Sequence, residues 1–337
     1  MINVLMKTIR PLPISICPMN LLKFLTYSCI LLSLTSCNLS TFNRLGSLVV
    51  DSTDSSEETE VSVPVEEAST VVVGEESPDV LQAQEVAQEV ALSPELQAEY
   101  EGYLAEYEQA IAANPEDVDA WFDKAYVLFD LGRFQESLEA YDRVVALDPQ
   151  DASAWYNRGI ALGNLARYEE ELASYDKAID LNREDADIWF NKAYVSFSLG
   201  RLEESLEAYD RSLDLNPEDP DAWYNRGLVL GKLERYEEEL ESYDRTIALN
   251  PQDFEAWDNR GIVLDDLGRS KEALESFDQS LAINPTHVNA LNNKGVTLEN
   301  LRQYRKALAV YDQALAIQPN NTLVQENRDG VAERLGL

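Results

Sequence analysis

Residues 217–250 read PEDPDAWYNRGLVLGKLERYEEELESYDRTIALN, and residues 149–182 read PQDASAWYNRGIALGNLARYEEELASYDKAIDLN. The two stretches share a frame that runs through most of the chain. Its prolines are Pro115, Pro149, Pro217, Pro251, Pro285 and Pro319, with successive spacings of 34, 68, 34, 34 and 34 and Arg183 standing in the wide gap. On this frame Trp121, Trp155, Trp189, Trp223 and Trp257 stack in register, followed by Leu291. Four residues on from each come Ala125, Gly159, Ala193, Gly227, Gly261 and Gly295; further on come Tyr141, Tyr175, Tyr209, Tyr243, Phe277 and Tyr311. Self-similarity at such a period is the signature of stacked supersecondary units, a solenoid.

Within a unit, apolar residues recur at three and four, the spacing of an amphipathic helix. The first copy reads as two helices, helix A at Asp119–Leu131 and helix B at Phe134–Leu147. Asp117, Asp151, Asp185, Asp219 and Asp253 precede each helix A, where a carboxylate can accept from the free N–H groups of the first turn. Gly132, Gly200 and Gly268 fall where a left-handed helix end needs no Cβ. The small residue after each tryptophan lets helix A approach its partner closely, while tryptophan and tyrosine fill the seam. One unit cannot bury its apolar face alone; stacking closes the core.

These residues resemble the tetratricopeptide repeat (TPR), with six copies over 115–318. The resemblance implies an all-α TPR solenoid of antiparallel helix pairs forming a right-handed superhelix. Residues 94–114 resemble the helix of a degenerate first copy, with Tyr107, Ala110 and Pro115 in phase, and 319–337 resemble a C-terminal capping helix with Val324, Val331 and Leu335 inward. Two departures stand out. A base precedes the small residue throughout (Lys124, Arg158, Lys192, Arg226, Arg260, Lys294), expected to pair in register with Asp142, Asp176, Asp210, Asp244, Asp278 and Asp312 on helix B. The family's first helix B alanine survives only as Ala273 and Ala307, replaced elsewhere by Ser137, Glu171, Ser205 and Glu239.

The family binds proteins or peptides on a concave face lined by helix A, and the resemblance places that groove on Phe122, Tyr126, Phe129, Tyr156, Asn157, Phe190, Asn191, Tyr194, Phe197, Tyr224, Asn225 and Asn259. Aromatic pockets would take apolar side chains and the asparagine amides would pair with an extended peptide backbone. Copies alternate along the chain. The first and third are aromatic-rich, whereas the second and fourth carry Gly163 and Gly231 in place of Phe129 and Phe197. The fifth and sixth lose the aromatics to Asp258, Asp265, Asn292 and Glu299, so binding is expected to centre on the first four. The Lys, Asn and Arg set by which some relatives clamp a C-terminal carboxylate is not matched, since Phe122, Tyr156, Phe190 and Tyr224 stand at the corresponding position. The implied function is a non-catalytic scaffold, monomeric because a polar cap blocks end-to-end stacking; a self-associating structural or assembly-factor protein of an envelope complex is the alternative.

The N-terminal region reads as an address. Lys7, Arg10 and Lys23 are the only charges before Arg44, and Phe24–Leu34 is an apolar run short for a membrane span and right for a signal h-region. It ends in Leu34-Thr35-Ser36-Cys37, which resembles the bacterial lipobox: two small residues suit a protease cleft, and the cysteine thiol takes the lipid. That resemblance implies a lipoprotein signal peptide at 1–36, with translation beginning at Met1 or Met19, and a mature chain held at a membrane through lipidated (palmitate-type) Cys37. Asn38, where inner-membrane retention usually has aspartate, favours the outer membrane of a cell envelope. Residues 37–93 are expected to be a disordered acidic tether: from Asn38 to Ser93 there are 12 acids against Arg44 alone, and too little apolar content to offset chain entropy.

The whole chain has 337 residues and a formal charge of −35, from 27 Lys+Arg against 62 Asp+Glu. Such a field opposes nucleic-acid binding, which needs clustered cations at phosphates. The three cysteines lie at 17, 29 and 37 and the single histidine is His287, so no disulfide framework, histidine metal cluster or histidine relay is expected in the repeats. There is no phosphate-cradling glycine loop, Cys-x-x-Cys or His-Glu-x-x-His. No catalytic, cofactor-binding or metal-binding residues are expected. The acidic runs Glu169-Glu170-Glu171 and Glu237-Glu238-Glu239 read as solvated outer surface of helix B.

Overall fold

The computed structural model describes residues 93–337. The lipidation site Cys37, the signal segment 1–36 and all of the tether but its last residue lie outside the described residues. What is described is a row of helices, with no strand among the described residues. The first, α1 (Pro94–Ala113), stands alone. Six pairs follow: α2 (Val118–Asp130) with α3 (Phe134–Leu147), α4 (Ala152–Asn164) with α5 (Tyr168–Leu181), and α6 (Ala186–Ser198) with α7 (Leu202–Leu215). Then come α8 (Pro220–Lys232) with α9 (Tyr236–Leu249), α10 (Phe254–Asp266) with α11 (Ser270–Ile283), and α12 (Val288–Asn300) with α13 (Tyr304–Ile317); α14 (Thr322–Leu335) closes the row. Each helix packs on its sequence neighbours, and the first helices of some adjacent pairs also touch, as α6 with α8, α10 with α12 and α12 with α14. This is the TPR solenoid. Among the described residues no helix is long and apolar enough to cross a membrane.

Local chemistry sets the boundaries. The Oδ1 atoms of Asp117, Asp151 and Asp253 accept from the N–H of Ala120, Ala154 and Ala256 at 3.1, 3.0 and 2.9 Å, and those of Asp185 and Asp219 from Asp187 and Asp221 at 3.1 and 2.9 Å. His287 takes this place before α12 without a side-chain cap. Its imidazole, half-buried against Phe254 with Ser280 Oγ 3.3 Å from Nδ1, is lowered to about 4 because burial disfavours the imidazolium. The turn between paired helices is left-handed at Gly132, Gly200 and Gly268 as expected, with φ of 73°, 73° and 74°. It is equally left-handed at Ala166, Glu234 and Arg302, with φ of 56°, 57° and 58°, so the turn geometry is imposed by packing rather than by glycine alone.

The core runs the length of the row. Tyr141, Tyr175, Tyr209, Tyr243, Phe277 and Tyr311 are its largest fully buried side chains, each at the middle of a second helix. They lie against the small residue of the first helix. A Cβ added to Gly159 would stand 2.5 Å from Tyr175, and one added to Gly227 2.8 Å from Tyr243. The tryptophans are half-buried. Trp121, Trp155, Trp189 and Trp223 pack against the core, and each tryptophan also holds the connection to the preceding unit. The Nε1–H of Trp121, Trp155, Trp223 and Trp257 donates to the carbonyls of Pro115, Pro149, Pro217 and Pro251 at 3.1, 3.1, 3.0 and 3.2 Å, and that of Trp189 to Arg183 at 3.1 Å. Arg183 thus serves in place of proline because the bond uses its carbonyl. Before the cap, Gln325 Nε2 makes the equivalent bond to Pro319 at 2.6 Å.

Gly159→Ala tests the close approach. Alanine is favoured over glycine within a helix by about 1 kcal/mol, but overpacking costs about 1–3 kcal/mol. The expected outcome in urea denaturation is a lower midpoint for Gly159→Ala. Gly102→Ala in α1, where an added Cβ meets nothing within 4 Å, is expected to raise it.

Candidate functional site

The wall formed by α2, α4, α6, α8, α10 and α12 carries the predicted groove residues, and their partners sort them into two groups. At the residue after each tryptophan, Phe122 stands edge-on to Tyr141 at 5.5 Å and Phe190 to Tyr209 at 5.6 Å. Tyr156 and Tyr224 tilt against Tyr175 and Tyr243 at 5.9 and 5.8 Å. Burying a tyrosine hydroxyl without a partner costs free energy, and here the next unit supplies the partner. Asn191 Nδ2 donates to Tyr156 Oη at 2.7 Å and Asn259 Nδ2 to Tyr224 Oη at 3.0 Å. The same 35-residue latch continues down the row. Asn293 Nδ2 donates to Asp258 Oδ1 at 3.3 Å, and Asn327 Nδ2 to Asn292 Oδ1 at 2.9 Å.

Asn157 and Asn225 follow the phenylalanines Phe122 and Phe190, which offer no acceptor. Asn157 turns its amide back to the Ser153 carbonyl at 2.9 Å. Asn225 is 6 % exposed, and its amide has no hydrogen-bond partner among the described residues. The asparagine ladder is therefore not uniform. Asn191 and Asn259 are inter-unit latches, whereas Asn157 and Asn225 retain amide capacity, 68 residues apart.

The other predicted groove aromatics are also unequal. Tyr126 is 42 % exposed, the most open of them, and its phenol is pushed up to about 12, by partial burial first and then by Asp130 and Tyr100. Tyr194 is half-buried, its phenol raised by burial and then by Tyr168 and Glu171. Phe129 packs at 5.1 Å on Phe134 of its own pair, and Phe197 packs against the α6–α8 core. These two close the end of their helix pair rather than forming open pockets.

Where Phe129 and Phe197 have Gly163 and Gly231 as counterparts, a carboxylate from the second helix moves in. A Cβ on Gly163 would lie 2.6 Å from Glu171 Oε1, and one on Gly231 2.7 Å from Glu239 Oε1. Glu171 is only 5 % exposed. Its Oε1 accepts from Tyr175 Oη at 2.9 Å, and its Oε2 has no partner among the described residues. Burial raises its carboxyl to about 7. That of Glu239 goes to about 8, through burial and then the Asp266 carboxylate. The expectation of solvated acidic runs is corrected at these two positions: glycine opens a notch and the glutamate fills it. Their neighbours Glu169 and Glu170 are surface residues, paired with Arg201 and Arg167. In the phenylalanine copies the same helix B position is Ser137 or Ser205, whose hydroxyl donates to the Ala125 or Ala193 carbonyl at 2.7 Å. The signal was present in the sequence as the coupled exchange of Phe and Ser for Gly and Glu.

The base ladder is real, with a shifted register. Arg158, Arg226 and Arg260 pair with Asp142, Asp210 and Asp244, and Lys192 and Lys294 with Asp176 and Asp278, at 2.6–2.7 Å. Each aspartate belongs to the preceding unit, not to the base's own pair. Lys124 reaches Glu108 of α1 at 2.9 Å in the same way. Arg158, Arg226 and Arg260 also donate to Ser174, Ser242 and Ser276 of their own second helix, and they lie over Trp155, Trp223 and Trp257 at 5.6–5.7 Å. One guanidinium thereby ties three elements together.

A row of nested helix pairs with one inner wall defines a helical-repeat solenoid, and the comparisons place it within a family. Tetratricopeptide-repeat profiles match residues 104–152, 123–186, 174–207, 254–287 and 288–321, and a further TPR profile matches 193–234. The chain belongs to the tetratricopeptide-repeat family. A profile described as a protein prenyltransferase alpha subunit repeat also matches 236–267; it describes a repeat unit and not an activity. Among solved structures, YrrB, described as a TPR protein with an unusual peptide-binding site, is 30% identical, with a TM-score of 0.52 over 57% of this chain and 99% of that one. The C-terminal part of a TPR repeat-containing protein from Cytophaga hutchinsonii is 13% identical, with a TM-score of 0.60 over 68% of this chain and 94% of that one, a likeness of fold alone. Comparison with curated proteins gives no match.

The buried glutamates predict a pH signature. A carboxyl held above its unfolded value stabilises fully below the unfolded pKa, and that contribution is lost as pH rises through the folded value. Stability should therefore fall between about pH 4.5 and 8. For Glu171 alone the loss is of order 2–3 kcal/mol. Glu171→Gln/Glu239→Gln is expected to flatten this slope in urea titrations across that range. An unchanged slope would show that the notch carboxylates titrate normally.

Proposed function

We propose that this chain is a non-catalytic scaffold that binds an extended segment of a partner protein along the helix A wall, centred on α2, α4, α6 and α8. The observation that carries the reading is the split in the asparagine ladder. Asn191 and Asn259 are committed to tyrosines, while Asn157 and Asn225 are not, and the same wall carries the part-exposed Tyr126 and Tyr194. Amides at regular spacing suit a peptide backbone, which presents the same donors and acceptors whatever its side chains. The description of YrrB as having a peptide-binding site supports this reading.

Crosslinking in the native cell would identify the bound segment, and calorimetry with that peptide would test the wall. Asn157→Ala/Asn225→Ala is expected to weaken binding at least tenfold with little change in thermal midpoint. Asn191→Ala/Asn259→Ala is expected to lower the midpoint, since each leaves a buried tyrosine hydroxyl without its partner at a cost of about 1–3 kcal/mol. Equal affinity for the first variant and wild type would rule out recognition by these amides.

We further propose that the scaffold is exported and held at a membrane by lipid on Cys37, with the outer membrane of a cell envelope favoured by Asn38. Cleavage before Cys37 and acylation would give the multi-chain anchoring that one fatty acid does not provide. The acidic tether would hold the solenoid away from the bilayer. Metabolic labelling with radioactive palmitate is expected to mark the wild type and not Cys37→Ala, which should leave the membrane fraction. Palmitate-free wild-type protein would remove the anchor from this account.

A further inference from the structure

The connection between helices A and B is built alike in the first five units and inverted in the sixth. Its last residue is Arg133, Arg167, Arg201, Arg235 or Arg269, and three residues later comes Glu136, Glu170, Glu204, Glu238 or Glu272. In four of the five these two form an ion pair at 2.6–2.7 Å. In the sixth unit the two positions hold Gln303 and Lys306. The contact persists with donor and acceptor exchanged, Lys306 Nζ donating to Gln303 Oε1 at 2.8 Å. Arg302 and Arg305 complete the change, so residues 302–306 hold three bases and no acid in a chain whose formal charge is −35. Arg302, Arg305 and Lys306 are exposed, and none of them forms an ion pair among the described residues.

This arrangement runs against the needs of the fold twice. Arg302 adopts φ 58°, as Ala166 and Glu234 do, where the other three sister turns use glycine. Arg305 and Lys306 occupy the first turn of α13, where the helix dipole disfavours cations; every sister helix, α3, α5, α7, α9 and α11, places glutamate there. Beside them is a shallow cavity of about 290 Å³, lined by Arg302, Gln303, Tyr304, Arg305, Lys306 and Leu335. Tyr304 and Leu335 give it an apolar floor, and Arg334 lies over the Tyr304 ring at 5.7 Å.

We propose that the turn at 302–306 and this cavity form a second docking surface, separate from the helix A wall, that receives an acidic segment of a partner protein. Charge fixes the class of occupant. Interactions between exposed charges fade over about 8 Å at physiological ionic strength, so three unpaired cations present a positive surface locally despite the net charge of the whole. An acidic segment finds attraction here and repulsion along most of the remaining surface, which orients it. An anionic bilayer fits less well. It would have to approach over a broad front and meet the acidic helices alongside, whereas a single extended chain need cover only the turn and its floor.

The test uses a fluorescein-labelled peptide of about ten glutamates and the protein with its full set of repeats. One variant rebuilds the sixth turn with sister-unit residues, Arg302→Gly/Gln303→Arg/Arg305→Glu/Lys306→Glu. A control, Lys177→Glu/Lys271→Glu, makes the same change in net charge at exposed sites elsewhere. Fluorescence anisotropy at about 20 mM salt is expected to show saturable binding to wild type and control, and binding at least tenfold weaker to the rebuilt turn; about 200 mM salt should weaken the wild-type complex. Circular dichroism is expected to show all three folded alike, since each new residue already stands at that place in a sister unit. Three results would each overturn the proposal: no wild-type binding at low salt, equal losses in control and rebuilt proteins, or binding to phosphatidylglycerol vesicles but not to the peptide. Because the wall residues are untouched, the outcome is independent of the groove.

Discussion

The contact on which the structure rests is the aromatic ring of each second helix against the small residue of its first helix. Tyr175 on Gly159 and Tyr243 on Gly227 bring two backbones closer than any larger side chain at those positions would allow. That spacing is what permits the rest. It leaves the tryptophan half-buried with its N–H free to reach the turn carbonyl, and it lets a base three residues on span from its own second helix to the preceding one. Without it, the 34-residue units would still be amphipathic helices, but they would lack a fixed way to nest.

A solenoid contacts itself only locally, so a change in one unit must be compensated in that unit or the next. Exchange of Phe129 for Gly163 is answered within the pair by Glu171 in place of Ser137. Exchange of Phe122 for Tyr156 is answered in the following unit, where Asn191 becomes the partner of the new hydroxyl. The effective repeat over the first four copies is therefore two units long. Asn157 and Asn225, the amides left over from this arrangement, inherit the longer spacing.

Most of the fold was legible in the sequence because each signal it uses is local and repeats. The spacing of Trp, Gly and Tyr, the aspartates before each first helix and the glycine turns required no knowledge of neighbours. What was not legible depended on which unit a side chain faces. The register of the Arg158 pair is one example: an aspartate lies on the second helix both before it, Asp142, and after it, Asp176, and only stacking selects the earlier one. Glu171 and Glu239 are another. A run of three glutamates reads as surface on composition, and burial of the third follows only once Gly163 is seen to leave a space that no residue of the first helix fills. The lipidation motif rests on residue order alone.

The same logic bears on how a −35 chain stacks at all. Successive units are acidic, and placing them side by side sets like charges within a few ångströms. Exposed ion pairs add little individually, about 0–1 kcal/mol. The base ladder is better placed than that figure suggests, because its cations are 13–24 % exposed from Lys124 to Lys294 and lie at the joint between units, and those from Lys124 to Arg260 also sit over tryptophan rings. Six of the bases are thereby placed at the joints between units. A turn that gathers three exposed bases within five residues, with no acid among them, is an exception to the way the rest of the molecule distributes its positive charge.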